Sequence, residues 1–401
     1  MHKMRRAAVR AAIVGAAILG AGVAGTAQAQ APVKIGLVLP YSAGPFVAIA
    51  NEITDSMALA LEESGYMAAG RKIEILREDT THKPDVAQAK AKKLVFEDKV
   101  DMLVGPVASA ELTALFDFAH QAKVPLIIPN AGDNEVTGEK CSPWVLRTSF
   151  SNDQIVRDMG RWMAGKGFKK VALLAFDYKA GHQLMGGFKK PFTEAGGTIV
   201  TEQYPPFGRL SDFGPWLGKI RDAKPDAVFT FFAGPPATLL VQQFKEFGLD
   251  REMKLAGAGW LVSPLSLPSQ GKAAAGVIGV LNYVPAIDNP VNKSYQERFQ
   301  AKFKRTGSEF GAQGYDTGKL IHAALTQAGG KTDDKAALVK AMHAVRIEGT
   351  RGPLRIDPRT NNVVQDIYVF ETELQGDKVG YKVLDRIRDV QDPPNGCKLG
   401  G

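Results

Sequence analysis

Cysteine is scarce in this chain: two residues in 401, Cys141 and Cys397. Neither sits in a CxxC spacing, the six histidines are scattered and HExxH is missing, so the sequence offers no metal site. A dinucleotide fingerprint is missing too. The loop after the first apolar run, LPYSAGPF at 39–46, has one glycine. GAGWLV at 257–262 lacks the last glycine that close approach to a pyrophosphate needs. QAGGKT at 327–332 ends like a phosphate loop, but Leu325 stands where the first glycine belongs, and a helical pattern precedes it. These gaps predict no nucleotide, metal or other cofactor. GxSxG is absent, which removes the nucleophile elbow, and spacing marks out no pair of catalytic carboxylates. Lys and Arg never run to five in a row, and KFKR at 302–305 reads as a solvated helix face, so no nucleic-acid partner is expected. No apolar run reaches the ~20 residues that a bilayer span needs.

What is present starts with Lys3, Arg5, Arg6 and Arg10 and no acid. Small apolar residues follow from Ala11 to about Ala24, and then Ala27-Gln28-Ala29. That order predicts a cleavable secretory leader over 1–29, leaving 372 of the 401 residues. The leader holds four basic residues, so a formal charge of +8 falls to +4 without it. In an oxidising compartment an even cysteine count predicts a Cys141–Cys397 bridge that clips the C-terminal tail to the body; two free thiols are the alternative.

The remaining chain alternates apolar runs with amphipathic stretches. Strands are expected at 33–39, 73–78, 101–104 and 125–128, with helices at 48–63, 84–97 and 110–121 between them. The rhythm restarts near 151, with strands at 167–177, 197–204, 225–232 and 253–259 and helices at 182–194, 213–221 and 237–247. This predicts an α/β fold of two Rossmann-like, doubly wound lobes. After residue 280 come helices at 290–305, 312–328 and 334–344 and then a strand-rich tail. The chain is therefore expected to return to the first lobe and to cover the second with a final hairpin. The bounds follow as 30–149 plus 282–352 for lobe one, 150–281 plus 353–392 for lobe two, and a tail at 393–401. Strand ends open onto Gly, Pro, Ser and Asn loops, where open α/β sheets bind ligands.

VGPVASAEL at 104–112 lies at one such end, and Ser109 has three readings. As a nucleophile it lacks an elbow, and His120 lies eleven residues along the same helix, about 16 Å away by helix rise. As an N-cap it satisfies an orphan backbone N–H. As a ligand contact it adds a hydroxyl to unpaired N–H groups and a partial positive charge suited to a carboxylate. The last two readings are compatible.

VKIGLVLPYSAGPF, REDTTHKPDVAQAKAKKLVFEDKVDMLVGPVAS, VPLIIPNAGDNEVTG, CSPWVLRTSFSNDQ and GYDTGKLIHAAL occur in that order. Together they resemble the Leu/Ile/Val-type solute-binding proteins of ABC transporters, across essentially the whole mature chain. The resemblance implies two lobes joined by a three-crossover hinge, a periplasmic location, a monomer, no enzymatic activity, and closure on a ligand before docking on an inner-membrane permease. It also implies that Ser109 grips the ligand carboxylate, beside Ala108 and the loop Asn130, Ala131, Gly132 and Asp133. A threonine expected near Gly132 is missing. So is the acid expected at Gly259 or Trp260 to pair with an α-ammonium, unless Asp133 substitutes. Tyr41, Phe46, Phe150, Tyr178, Phe232 and Trp260 are the aromatic wall candidates; of Phe231 and Phe232, at most one reaches the cleft. An apolar slot with one anion clamp suits a small aromatic carboxylate, and CSPWVLRTSFSNDQ is similar to an aromatic-acid-binding subgroup. An aliphatic amino-acid receptor is the alternative, and a secreted hydrolase a more distant one. Whether Arg147 or Arg209 reaches the ligand is left open.

Overall fold

Alternation along short strands sets the first layer. The computed structural model describes residues 30–208 and 210–399; the expected leader and Arg209 lie outside them. In order come β1 (Val33–Leu39), α1 (Val47–Glu62), a two-residue β2 (Met67–Ala68), β3 (Arg71–Asp79), α2 (Pro84–Phe96), β4 (Met102–Val104), α3 (Ser109–Ala122), β5 (Leu126–Ile128) and β6 (Val145–Arg147). They form a six-stranded sheet in the order β2-β3-β1-β4-β5-β6, parallel except at β2. Leu37, Leu39, Val104 and Ile127 share one apolar cluster with α1, while Val38, Leu103, Leu126 and Ile128 share another with α2 and α3. Successive strand residues face opposite sides, so the sheet is buried on both.

The second layer repeats the plan with α4 (Asn152–Gly165), β7 (Lys170–Ala175), α5 (Lys179–Glu194), β8 (Thr198–Gln203), α6 (Gly214–Asp222), β9 (Ala227–Phe231), α7 (Pro235–Glu246), β10 (Lys254–Ala258), a one-turn α8 (Leu267–Gln270) and β11 (Ile278–Leu281). Then α9 (Pro290–Phe303), α10 (Glu309–Gln327) and α11 (Lys335–Ala344) follow, and α10 packs along α1 of the first layer. The chain ends in β12 (Arg346–Gly349), β13 (Gly352–Ile356), β14 (Val363–Gln375) and β15 (Lys378–Val390). The second sheet runs β12-β13-β14-β11-β10-β9-β7-β8, with β15 on β14. β14 joins β11 antiparallel, so the final hairpin extends this sheet.

Three helices depart from expectation in ways that matter. The expected pattern leaves 152–165 unassigned, yet α4 forms there. Ser151 caps it by accepting from the Gln154 backbone N–H at 3.2 Å, half of a Ser-x-x-Gln capping box. Gln154 does not complete the box; its amide donates to the carbonyls of Val363 and Val390. α5 starts at Lys179 rather than His182, and α10 at Glu309 rather than Ala312. Ser308 caps α10 by accepting from the Phe310 N–H.

One fully buried guanidinium ties the crossovers between the sheets. Arg351 donates to the carbonyls of Thr148 and Ser149 just after β6, to Gln365 of β14, and to Asp316 of α10 at 2.9 Å. Asn282, just after β11, donates to Ser149 O and Gln365. Thr350 completes the cage by donating its N–H and hydroxyl to Asp316. Cys141 and Cys397 are bonded, with Cα atoms 5.4 Å apart, a normal disulfide span.

Candidate functional site

Both sheets reverse their winding beside their first parallel strand, and that is where an α/β sheet opens a crevice. In the first sheet the reversal falls between β1 and β4, so the loops 40–46 and 105–109 flank it. In the second it falls between β7 and β9, beside Phe176–Tyr178 and Phe231.

At the first reversal, Gly105 turns the chain with φ +150°. A Cβ there would lie 2.3 Å from the Val38 carbonyl, so only glycine lets the loop pass so close. α3 then begins at Ser109, with Ala108 in the N-cap position and no side-chain cap. This corrects the capping expectation: Ser109 is the first helical residue, half-buried, and its hydroxyl does not cap. The first turn keeps its anion-favouring end. Glu111, in that same turn, is fully buried. Burial pushes its carboxyl up from the usual range, opposed by Thr80 and His82. His82 Nδ1 stands 3.6 Å from Glu111, and its ring meets the edge of Phe46 at 5.0 Å. Tyr41 is half-buried on the same loop; its hydroxyl pairs with Thr54 of α1 at 2.8 Å, and burial pushes it up to about 12.

β5 neighbours β4, so the loop 129–133 lies beside the loop of Ser109. Asn130 donates to Gln313 of α10 at 2.8 Å. Ala131 is buried. At Gly132 a Cβ would stand 2.4 Å from both the Phe150 ring and Asn152 Oδ1. Phe150 and Asn152 thus fill the space that a side chain at 132 would take. Asp133 accepts from Lys179 at 2.8 Å and Gln183 at 2.9 Å, both on α5 of the second lobe, and caps the turn at Glu135. Lys179 also pairs with Glu135. Asp133 is therefore committed to its neighbours across the lobes. Arg147 is committed as well: fully buried, it donates to Asn362, Thr137 and the Asp133 carbonyl.

From the second lobe, aromatic rings form a continuous line. Phe150 meets Trp260 at 5.1 Å, Trp260 meets Phe231 at 5.3 Å, and Phe231 stacks with Tyr178 at 6.1 Å. Phe232 is not on this line. It is 1 % exposed and boxed by Phe176 and Phe213, so it is core, and Phe231 takes the place expected of it. Strand alternation required the choice between the two but did not indicate the side.

Sequence reasoning missed Ser263, Glu309 and Gln313. Ser263 follows Trp260 by one turn and donates to Glu309 at 3.1 Å. Glu309 and Gln313 are four apart on α10, hence on one face. A closed circuit results: Gly132 to Phe150, Phe150 to Trp260, Trp260 to Ser263, Ser263 to Glu309, then Gln313 and Asn130 back to Gly132. No motif flags the α10 residues: Glu309 precedes the expected helix start at 312, and Gln313 lies inside it with no signal of its own.

Two Rossmann-like lobes facing each other across their reversal points define a bilobal solute-binding protein of the type I periplasmic fold. The chain belongs to the periplasmic binding protein family, whose model matches residues 32–378. It is 29% identical to the Leu/Ile/Val-binding protein homolog 6 of Brucella suis over 90% of this chain and 93% of that one. Among solved structures, it is 33% identical to an ABC transporter solute-binding protein from R. palustris in complex with benzoate, with a TM-score of 0.83 over 92% of this chain and 100% of that one. It is 34% identical to one from Rhodopseudomonas palustris BisB5 in complex with 3,4-dihydroxybenzoic acid, with a TM-score of 0.84 over 90% and 99%. Among the described residues no helix is long and apolar enough to cross a membrane.

Proposed function

We propose that this chain is the periplasmic binding component of an ABC importer and captures a small aromatic carboxylate between its lobes. The observation that carries this reading is the packing at Gly132: a Phe150 ring, backed by Trp260, fills the space beside it. An α-ammonium needs a buried acid as partner, since an unpaired one costs several kcal/mol. Asp133, the candidate for that role, already pairs with Lys179, which weighs against the aliphatic amino-acid reading. Solved relatives holding benzoate and dihydroxybenzoate support the aromatic choice. In this account the chain is a monomeric receptor without catalysis, nucleic-acid binding or cofactor. Its leader at 1–29 is removed on export, and its partner is an inner-membrane permease. Lobe one comprises 30–149 plus 282–352, and lobe two 150–281 plus 353–392. The ligand touches Ser109, Ala108, Asn130, Ala131 and Gly132 from the first lobe, and Phe150, Tyr178, Phe231 and Trp260 from the other side.

Ser109→Ala tests the carboxylate grip. Loss of a hydrogen bond to a charged group costs about 1.5–3 kcal/mol, so the Kd for benzoate measured by calorimetry rises roughly ten- to a hundredfold. Unchanged affinity would remove Ser109 from the site.

A further inference from the structure

Three buried polar atoms in the circuit described above have no hydrogen-bond partner among the described residues: Glu309 Oε1, Gln313 Nε2 and Trp260 Nε1. Leaving such atoms unmade is costly, so three of them on the residues of one circuit call for a guest. The set has a chemical signature. It consists of one carboxyl oxygen and two N–H donors, and a hydroxyl group carries the complement, one donor and two acceptor sites.

Position adds direction. Ser109 opens α3, which covers one face of the first sheet, whereas Glu309 opens α10, which packs with α1 on the other. A ligand whose carboxylate lies at Ser109, along the sheet's carboxyl edge, turns its far end toward α10. We propose that Glu309, held by Ser263 and flanked by Gln313 and Trp260, is a distal anchor for a ligand hydroxyl, so that the receptor selects phenolic carboxylates over plain aryl acids. This rests on the aromatic-carboxylate reading of the cleft.

The electrostatics agree. Glu309 is 2 % exposed, and burial, with Glu52 adding to it, pushes its carboxyl up to about 8. A neutral carboxyl accepts from a phenol without repelling the ligand's own anion. Around it are Ser263 from the second lobe and Glu52 on α1, which is itself paired with Arg305; Tyr283 and Tyr381 lie farther off and donate to Asn292 and the Val262 carbonyl.

The test is calorimetry on the mature chain with benzoate, 3-hydroxybenzoate and 4-hydroxybenzoate. The wild type is expected to bind one of the hydroxylated acids about tenfold or more tighter than benzoate. Glu309→Gln, which keeps an accepting carbonyl, retains that preference. Glu309→Leu reduces the ratio to about one while benzoate still binds. If Glu309→Leu fails to fold, Gln313→Ala takes its place, and a smaller ratio is expected there too. A preference that survives Glu309→Leu, or benzoate bound as tightly as both hydroxylated acids, overturns the anchor and leaves the aromatic reading intact. Binding of leucine with no aryl acid bound overturns both.

Discussion

Arg351→Met lowers the stability of the folded chain by about 3–5 kcal/mol, the largest single-residue effect expected here. Both partners of the Arg351–Asp316 pair are fully buried, so removing the cation strands a carboxylate where water cannot reach it. Thr350 still donates two hydrogen bonds to Asp316, which softens the loss without replacing the charge. The Thr148 carbonyl loses its donor at the same time, while the Ser149 carbonyl and Gln365 keep Asn282. Guanidinium unfolding measures the effect. The double variant Arg351→Met, Asp316→Leu recovers a large share, because the penalty comes from the unpaired charge more than from the pair's net worth. A loss below about 1 kcal/mol in the single variant would mean that the cage is hydrated and does not hold the crossovers.

Reducing the Cys141–Cys397 bond has an effect of similar size through a different state. The two residues are 256 apart in sequence, and a loop that long takes roughly 5 kcal/mol of conformational freedom from the unfolded chain in the loop-entropy account. Measured values for disulfides are more often 2–4 kcal/mol. In the folded state the tail has other holds: Asp392 accepts from Ser151 and Asn362 and pairs with Arg157. The expected result is therefore a loss of about 2–5 kcal/mol in guanidinium unfolding under reductant, with benzoate affinity unchanged. Loss of binding on reduction would show that the bridge shapes the cleft instead.

Most of the fold was readable because its signals are local. Short apolar runs separated by amphipathic stretches mark each βα unit, and those elements formed within a few residues of the expected limits. α4 is the exception: Ser151 and Gln154 spell a cap, but its apolar residues lie between two strong loop signals. The site was readable only in part. Ser109, Gly132, Phe150 and Trp260 stand on strand-end loops, and topology alone brings such loops together. Glu309 and Gln313 arrive from a helix nearly two hundred residues away, and Asn130 meets Gln313 across a separation of 183. No spacing records that contact. Phe231 ends β9 and Phe232 follows it, and which of the two meets the cleft is set by how the strand sits in its sheet.

What changed most at Ser109 is its neighbourhood. The serine opens α3 without capping it, and beside it the Phe150 ring packs against Gly132. The direct test of the account is titration calorimetry of the mature chain with benzoate, 4-hydroxybenzoate and leucine in parallel. An aryl carboxylate bound at micromolar affinity or better, with no heat from leucine, is the predicted result. Leucine bound at that affinity while both aryl acids stay silent would contradict it.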